Sequence, residues 1–219
     1  RSLRDEARLH WFGRMNQWTL LVTGLSSFLQ IEQAFRDDPS LAETKLVDPV
    51  IVTGMPRSGT TFLHRLLSAA TEAAGVPLYQ HLFPAPRRSV AYRRLDCAAR
   101  FEPWRIASRV YGVDAMHLMR PALPDECNWG MRLGGQSMIF WNSAPTYSYL
   151  RWVLDQDLRE TYQLYRRVLQ IHQRQVPGQR LTLTCPHHLA WMPALVEALP
   201  EAHIVQTHRE PLQTTPSEC

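Results

Sequence analysis

The sequence predicts an α/β fold: a parallel sheet flanked by helices, with a helical insertion after the first strand–helix unit. Three observations predict it. A short apolar run ending in glycine, Val47 to Met55, gives way to helical spacing from Gly59 to Ala70. The stretch after Pro177-Gly178 then alternates cleanly between strand-like and helix-like patterns. Between these ends lie about a hundred residues dominated by helical periodicity, with no internal repeat and no low-complexity tract.

Taken in order, residues 3–36 carry helical spacing, with Leu3, Ala7, Trp11, Met15 and Trp18 on one stripe, followed by Leu21, Leu25, Phe28 and Phe35. Gly13 and Gly24 are the points where this segment would divide into two helices, and Asp37-Asp38-Pro39-Ser40 ends it. Val47–Met55 is bounded by Pro49 and Gly54 and rich in β-branched residues, which predicts a buried strand. In the helix that follows, Phe62, Leu63, Leu66 and Leu67 are expected on the inner face. Residues 77–88 read as a loop with three prolines, and 89–111 as a helix interrupted at Pro103. A further helix is expected to start at Pro124-Asp125-Glu126, where acids complement the helix dipole. Tyr147 to Gln175 reads as the longest helix, stopped by Pro177-Gly178. Leu181–Cys185 and His203–His208 read as strands, Leu189–Leu199 as a helix, and another helix starts at Pro211.

The bulk properties narrow the function. At 219 residues the chain can bury a sizeable core as one domain. A net charge of +4 suits a small polyanionic ligand, and the absence of any Lys/Arg block with interleaved aromatics argues against nucleic acid. Cys97, Cys127, Cys185 and Cys219 show neither a C-x-x-C pair nor a disulfide framework. His187, His188, His203 and His208 match no zinc spacing, so no metal is expected. No apolar run is long enough to span a bilayer and no signal peptide opens the chain, so the expected setting is cytoplasmic. Because the chain starts at Arg1 and stops a few residues into a helix, it is expected to be truncated at both termini.

The sharpest local signal is Gly54-Met55-Pro56-Arg57-Ser58-Gly59-Thr60-Thr61, set between a strand and a helix. Two glycines let the backbone turn tightly round an anion, and the following helix aims its free N–H groups at the same point. Ser58, Thr60 and Thr61 add hydroxyls, and Arg57 adds a planar cationic fork. The spacing G-x-x-x-x-G is that of a P-loop, but a triphosphatase needs lysine after the second glycine, where Thr60 stands. A loop holding one phosphate and a transferable group fits better than one holding a triphosphate. A P-loop kinase or nucleotide triphosphatase, or a non-catalytic nucleotide-binding homologue, is the alternative.

This segment resembles the 5'-phosphosulfate loop of the sulfotransferases that use 3'-phosphoadenosine 5'-phosphosulfate (PAPS), in which a Lys or Arg holds the position of Arg57. The resemblance implies a P-loop-type parallel sheet, PAPS as co-substrate, and cofactor contacts from Arg57, Ser58, Gly59, Thr60 and Thr61. The family's second motif is an Arg at a strand end with a Ser eight positions later, together binding the cofactor's 3'-phosphate. Arg209 and Ser217 match it, and Pro216-Ser217 is similar to a bacterial, lipid-directed branch. The implied organisation is a single domain over 1–219. It comprises an N-terminal helical segment (1–40), a phosphosulfate-loop unit (47–75), an acceptor-side helical insertion (76–178) and a 3'-phosphate unit (179–219).

Three residues are candidates for the base that takes the acceptor's proton. Glu126 lies in Pro124-Asp125-Glu126-Cys127, similar to the Pro-x-Glu-Cys segment of the same branch. His117 lies nine residues upstream, where that branch often has a histidine. His188 aligns with the family's Lys-x-Pro-x-His-Leu segment, and His187 is its weaker neighbour. Thr184 departs from the pattern, since it stands where the family usually has lysine. Tyr79, Phe83, Trp104, Tyr111, Trp129, Phe140, Trp141, Tyr147, Tyr149 and Trp152 are either core or the wall of an acceptor pocket, most of them core. The expected acceptor is a hydrophobic alcohol, phenol or lipid. The oligomeric state is not legible.

Overall fold

The computed structural model describes residues 1–70, 72–85, 89–110 and 118–214, without the side chains of 101, 103–110, 211 and 213. Four parallel strands form the sheet: β1 (Val50–Gly54), β2 (Ala73–Gly75), β3 (Arg180–Thr184) and β4 (His203–Thr207), in the order β2-β3-β1-β4. The architecture is thus α/β with β1 inside the sheet, as the apolar runs predict. Nothing in the apolar pattern marks β2, whose Ala-Ala-Gly composition has no strand preference of its own. It forms because α3 (Thr60–Ser68) carries the chain back over β3.

Alternation along the strands decides what packs on each face. Ile51, Leu181, Leu183 and Cys185 point to a core shared with α9 (Arg159–Gln175) and α10 (Met192–Ala198). Val52, Thr182 and Thr184 belong to the α3 face. There Ser68 Oγ lies 2.6 Å from Thr182 Oγ1, and His64 Nε2 lies 3.0 Å from the Thr182 carbonyl. The inner face of α3 is therefore Thr60, His64 and Ser68; of the four residues expected there, Phe62 and Leu66 face solvent and Leu63 and Leu67 are half-buried. Hydrogen bonding to the threonine-bearing face of β3 fixes this rotation, which apolar spacing alone cannot reveal.

Two more expectations change. The N-terminal segment is α1 (Ser2–Asp5) and a continuous 27-residue α2 (Trp11–Asp37), with no break at Gly13 or Gly24. A helical glycine costs about 1 kcal/mol, less than docking the whole length recovers. The span from Tyr147 divides into α8 (Tyr147–Leu154) and α9, because Asp157 accepts a hydrogen bond from the Arg159 N–H (3.1 Å) and starts a new helix. Among the described residues the longest helix is α2.

The segment between β2 and β3 also holds α4 (Leu78–Leu82), α5 (Val90–Val110), α6 (Asn128–Met131) and α7 (Ile139–Ser143). The first falls within the expected loop, α5 runs on through Pro103, and the third starts later than Pro124. Arg132 is fully buried there and donates to the carbonyls of His81 (3.2 Å), Leu82 (3.0 Å) and Trp129. It ties the end of α4 to the end of α6, and burial pushes its pKa down to about 9. After β3 a 3₁₀ turn, Pro186–Trp191, precedes α10, and β4 leads to α11 (Pro211–Thr214).

Candidate functional site

The site is assembled where β1, β3 and β4 end, at the carboxyl edge of the sheet. Gly54 closes β1 with φ 153° and pairs with Thr207 of β4. A β-carbon on Gly54 would lie 2.3 Å from Thr207 Oγ1 and 2.6 Å from its carbonyl oxygen, so only glycine permits this approach. Arg57 then adopts a left-handed φ of 64°, and Gly59 (φ 97°) precedes the first turn of α3. Holding an arginine in that region costs about 1 kcal/mol or more. The result is a loop that wraps toward the α3 N-terminus, whose first N–H groups lack intrahelical acceptors.

Hydroxyls lock the loop to β4. Ser58 Oγ donates to the Met55 carbonyl (2.5 Å) and lies 2.6 Å from Thr207 Oγ1, which in turn lies 3.3 Å from the Thr53 carbonyl. Arg209, just beyond β4, donates from Nη1 to the Arg57 carbonyl at 3.3 Å. Arg57 and Arg209 are both exposed, while Thr60 is buried and Thr61 half-buried. The loop and the Arg209 turn, far apart in sequence, are adjoining parts of one surface. Ser217 and His117 lie outside the described residues, although Leu118 is held to α3 by Arg65 Nη2 at 2.7 Å.

Glu126 reaches the same edge through backbone bonds. The Asp125 N–H donates to the Val76 carbonyl (3.1 Å), and the Cys127 N–H donates to the Thr184 carbonyl (2.9 Å). Asp125 Oδ1 accepts from the Glu126 N–H at 2.8 Å. The half-buried Glu126 is thereby set beside the end of β3, with Trp129 one helical turn further on.

His188 is placed differently. It is fully buried, its Nδ1 lies 2.8 Å from the Tyr162 hydroxyl, and burial pushes its pKa down to about 3. His187, with Nδ1 3.5 Å from Cys185 Sγ, is pushed down to about 4. Both rings are neutral at physiological pH, and His188 packs in the core behind β3. Thr184 is also committed to the sheet: it is buried, and its hydroxyl donates to the Val52 carbonyl at 3.0 Å. Nothing cationic at that position complements Arg57.

Of the aromatics singled out in the sequence, Tyr79 and Phe140 are buried core and Tyr147 and Trp152 are exposed. Phe83 and Trp129 help line a cavity of about 70 Å³ with Leu20, Leu82 and Ser143. The side chain of Trp104 and all of Tyr111 lie outside the described residues. Sequence reasoning gave no role to Thr207 or Tyr162. The signal for Thr207 was its position at a strand end, but its partners follow from a strand register that the sequence does not state.

A family profile described as the sulfotransferase family matches residues 49–219. This chain belongs to the sulfotransferase family. Two solved sulfotransferases are similar to it. STF1 from Mycobacterium tuberculosis H37Rv has a TM-score of 0.75 and 28% identity over 95% of this chain and 58% of that one. STF9 from Mycobacterium avium has a TM-score of 0.79 and 26% identity over 100% of this chain and 57% of that one. The chain therefore spans less than two thirds of either solved protein. No curated protein sequence matches. Among the described residues, no helix is long and apolar enough to cross a membrane, and no three His, Cys, Asp or Glu side chains gather as a metal cage.

Proposed function

We propose that the chain transfers a sulfonyl group from PAPS to a hydroxyl of a small, apolar acceptor. The observation that carries this reading is the locking of the Gly54–Thr61 loop to the Thr207–Arg209 turn, which brings two arginine-bearing turns side by side. A nucleotide with phosphates on both its 5' and 3' positions needs such a pair. The donors present fit it: a helix N-terminus, hydroxyls and two exposed arginines, with no lysine at the position a triphosphate requires.

PAPS supplies the activated sulfonyl group when bound. Ser58, Thr60, Thr61 and the first N–H groups of α3 would hold the 5'-phosphosulfate end, and Arg209 with Ser217 the 3'-phosphate. Arg57 would stabilise negative charge on the phosphate oxygen as its bond to sulfur breaks. Glu126 is the preferred base for the acceptor hydroxyl, because it stands at the strand edge. The depressed pKa and burial of His188 suit it better to positioning the β3 end through Tyr162. An apolar acceptor, an alcohol, phenol or lipid, is supported by Trp129, one turn from Glu126.

Calorimetric titration with 3'-phosphoadenosine 5'-phosphate against ATP tests the reading. Magnesium-independent binding of the former, weakened in Arg209→Ala, supports it, and a preference for ATP with magnesium overturns it. Transfer of labelled sulfonate to an alcohol or phenol then tests catalysis.

A further inference from the structure

Helix α2 turns its more apolar side outward. Its buried positions are Gln17, Leu20, Thr23, Gly24, Ser27 and Ile31, several held by hydrogen bonds rather than by apolar contact. Gln17 Nε2 donates to the Ser143 carbonyl (3.0 Å), and Ser27 Oγ donates to the Leu82 carbonyl (2.7 Å). The opposite side carries Trp11, Met15, Trp18, Val22, Leu25 and Leu29, all exposed, with Trp11 at 75%, Trp18 at 64% and Leu25 at 61%. Leu21 is exposed beside them.

These six positions step alternately by four and three residues, the 3.5-residue repeat of a coiled-coil seam. The stripe is bordered by Leu21 and Phe28 on one side and by Thr19 and Ser26 on the other, with Arg14 the one basic residue beside it. A helix lying on a lipid surface instead carries Lys and Arg along its polar face. No residue from Met15 to Ile31 is charged, so nothing on the seam repels an identical helix.

We propose that α2 is the contact surface for a second copy of this chain, the two α2 helices packing antiparallel about a two-fold axis near Leu20–Leu21. In that register Trp11 faces Leu29, Met15 faces Leu25 and Trp18 faces Val22, so each large ring meets a smaller aliphatic side chain. Every contact occurs twice, as a two-fold interface requires. The seven exposed residues offer roughly 800 Å² per copy, the share one partner contributes to an interface of standard size.

Sedimentation equilibrium of the full-length protein tests this, with circular dichroism and thermal unfolding to confirm that variants fold. The wild type is expected to sediment as a dimer, and Trp18→Glu and Leu25→Glu as monomers that keep the native circular dichroism spectrum and unfold cooperatively, at a Tm lowered only by the lost association. Under mild oxidation Leu21→Cys, near the axis, is expected to cross-link and Leu29→Cys is not. A monomeric full-length protein overturns the proposal, whether its own chain or a lipid vesicle covers α2. So does a dimer insensitive to both substitutions, and cross-linking through Leu29→Cys instead of Leu21→Cys overturns the antiparallel register.

Discussion

Replacing Gly54 with alanine is the most demanding test of the strand register that builds the site. The added β-carbon would lie 2.3 Å from Thr207 Oγ1, 2.6 Å from the Thr207 carbonyl oxygen and 2.9 Å from Ser58 Oγ. Two of these atoms are side-chain hydroxyls that can swing away, but the carbonyl is part of β4. Backbone strain at φ 153° adds about 1–3 kcal/mol and overpacking a further ~1–3 kcal/mol. For a domain of this size each kcal/mol lowers Tm by about 2–4 °C, so a loss of about 4 kcal/mol predicts a drop of roughly 8–16 °C. Thermal unfolding followed by circular dichroism reads this directly. Adding Thr207→Ala removes the nearest atom but leaves the carbonyl, so the double variant is expected to recover only about 1 kcal/mol. A Gly54→Ala protein melting within about 2 °C of wild type would refute the Gly54–Thr207 pairing.

Other perturbations separate ligand contacts from structural ones. Arg209→Ala is expected to weaken 3'-phosphoadenosine 5'-phosphate binding about 10- to 100-fold by calorimetry, the worth of a charged hydrogen bond, with little change in Tm. Thr184→Val is expected to lower stability by about 1 kcal/mol in urea and to leave nucleotide affinity unchanged, because its buried hydroxyl is committed to the Val52 carbonyl. A change in affinity would return Thr184 to the site. His81, His172 and His188 are held near pKa 3 and His187 near 4 by burial, below their ordinary 6.5. The unfolded chain therefore binds more protons below pH 6.5. Stability is complete above that pH and falls on acidification toward the folded pKa values, by up to about 1.4 kcal/mol per pH unit for each histidine. Urea midpoints measured from pH 7.5 to 5 should fall steeply, His172→Phe should reduce the slope, and a flat profile would contradict the burial.

What the sequence shows and what it hides divide along physical lines. β1, β3 and β4 were legible because each is an apolar run cut off by Gly, Pro or a charged turn, and the loop after β1 because its glycines and hydroxyls are contiguous. The two arginines proposed to hold the nucleotide, Arg57 and Arg209, were visible in the sequence as a cation beside each strand end. Their mutual contact was not, since the Ser58–Thr207 bond joins residues 149 positions apart. The rotation of α2 was not legible because the helix carries two repeating stripes, and the one that docks includes glutamine, threonine and serine. The break between α8 and α9 was masked by Leu154 and Leu158, which continue the apolar spacing while Asp157 restarts the helix. His188 stands close to the strand edge in sequence, yet its 3₁₀ turn folds the ring back against Tyr162.

The pairing of Gly54 with Thr207 also sets a length. Neighbouring strands run about 4.8 Å apart, and each carries one cationic anchor on the turn at its end. Under the proposed reading the sheet works as a calliper whose jaws are the two turns, gauging the gap between two anionic groups on one ribose. Selection would then depend on the spacing of charges along the ligand more than on the shape of its base. An analogue that keeps the adenine but moves the second phosphate from the 3' to the 2' position changes that gap alone, and the calliper should reject it.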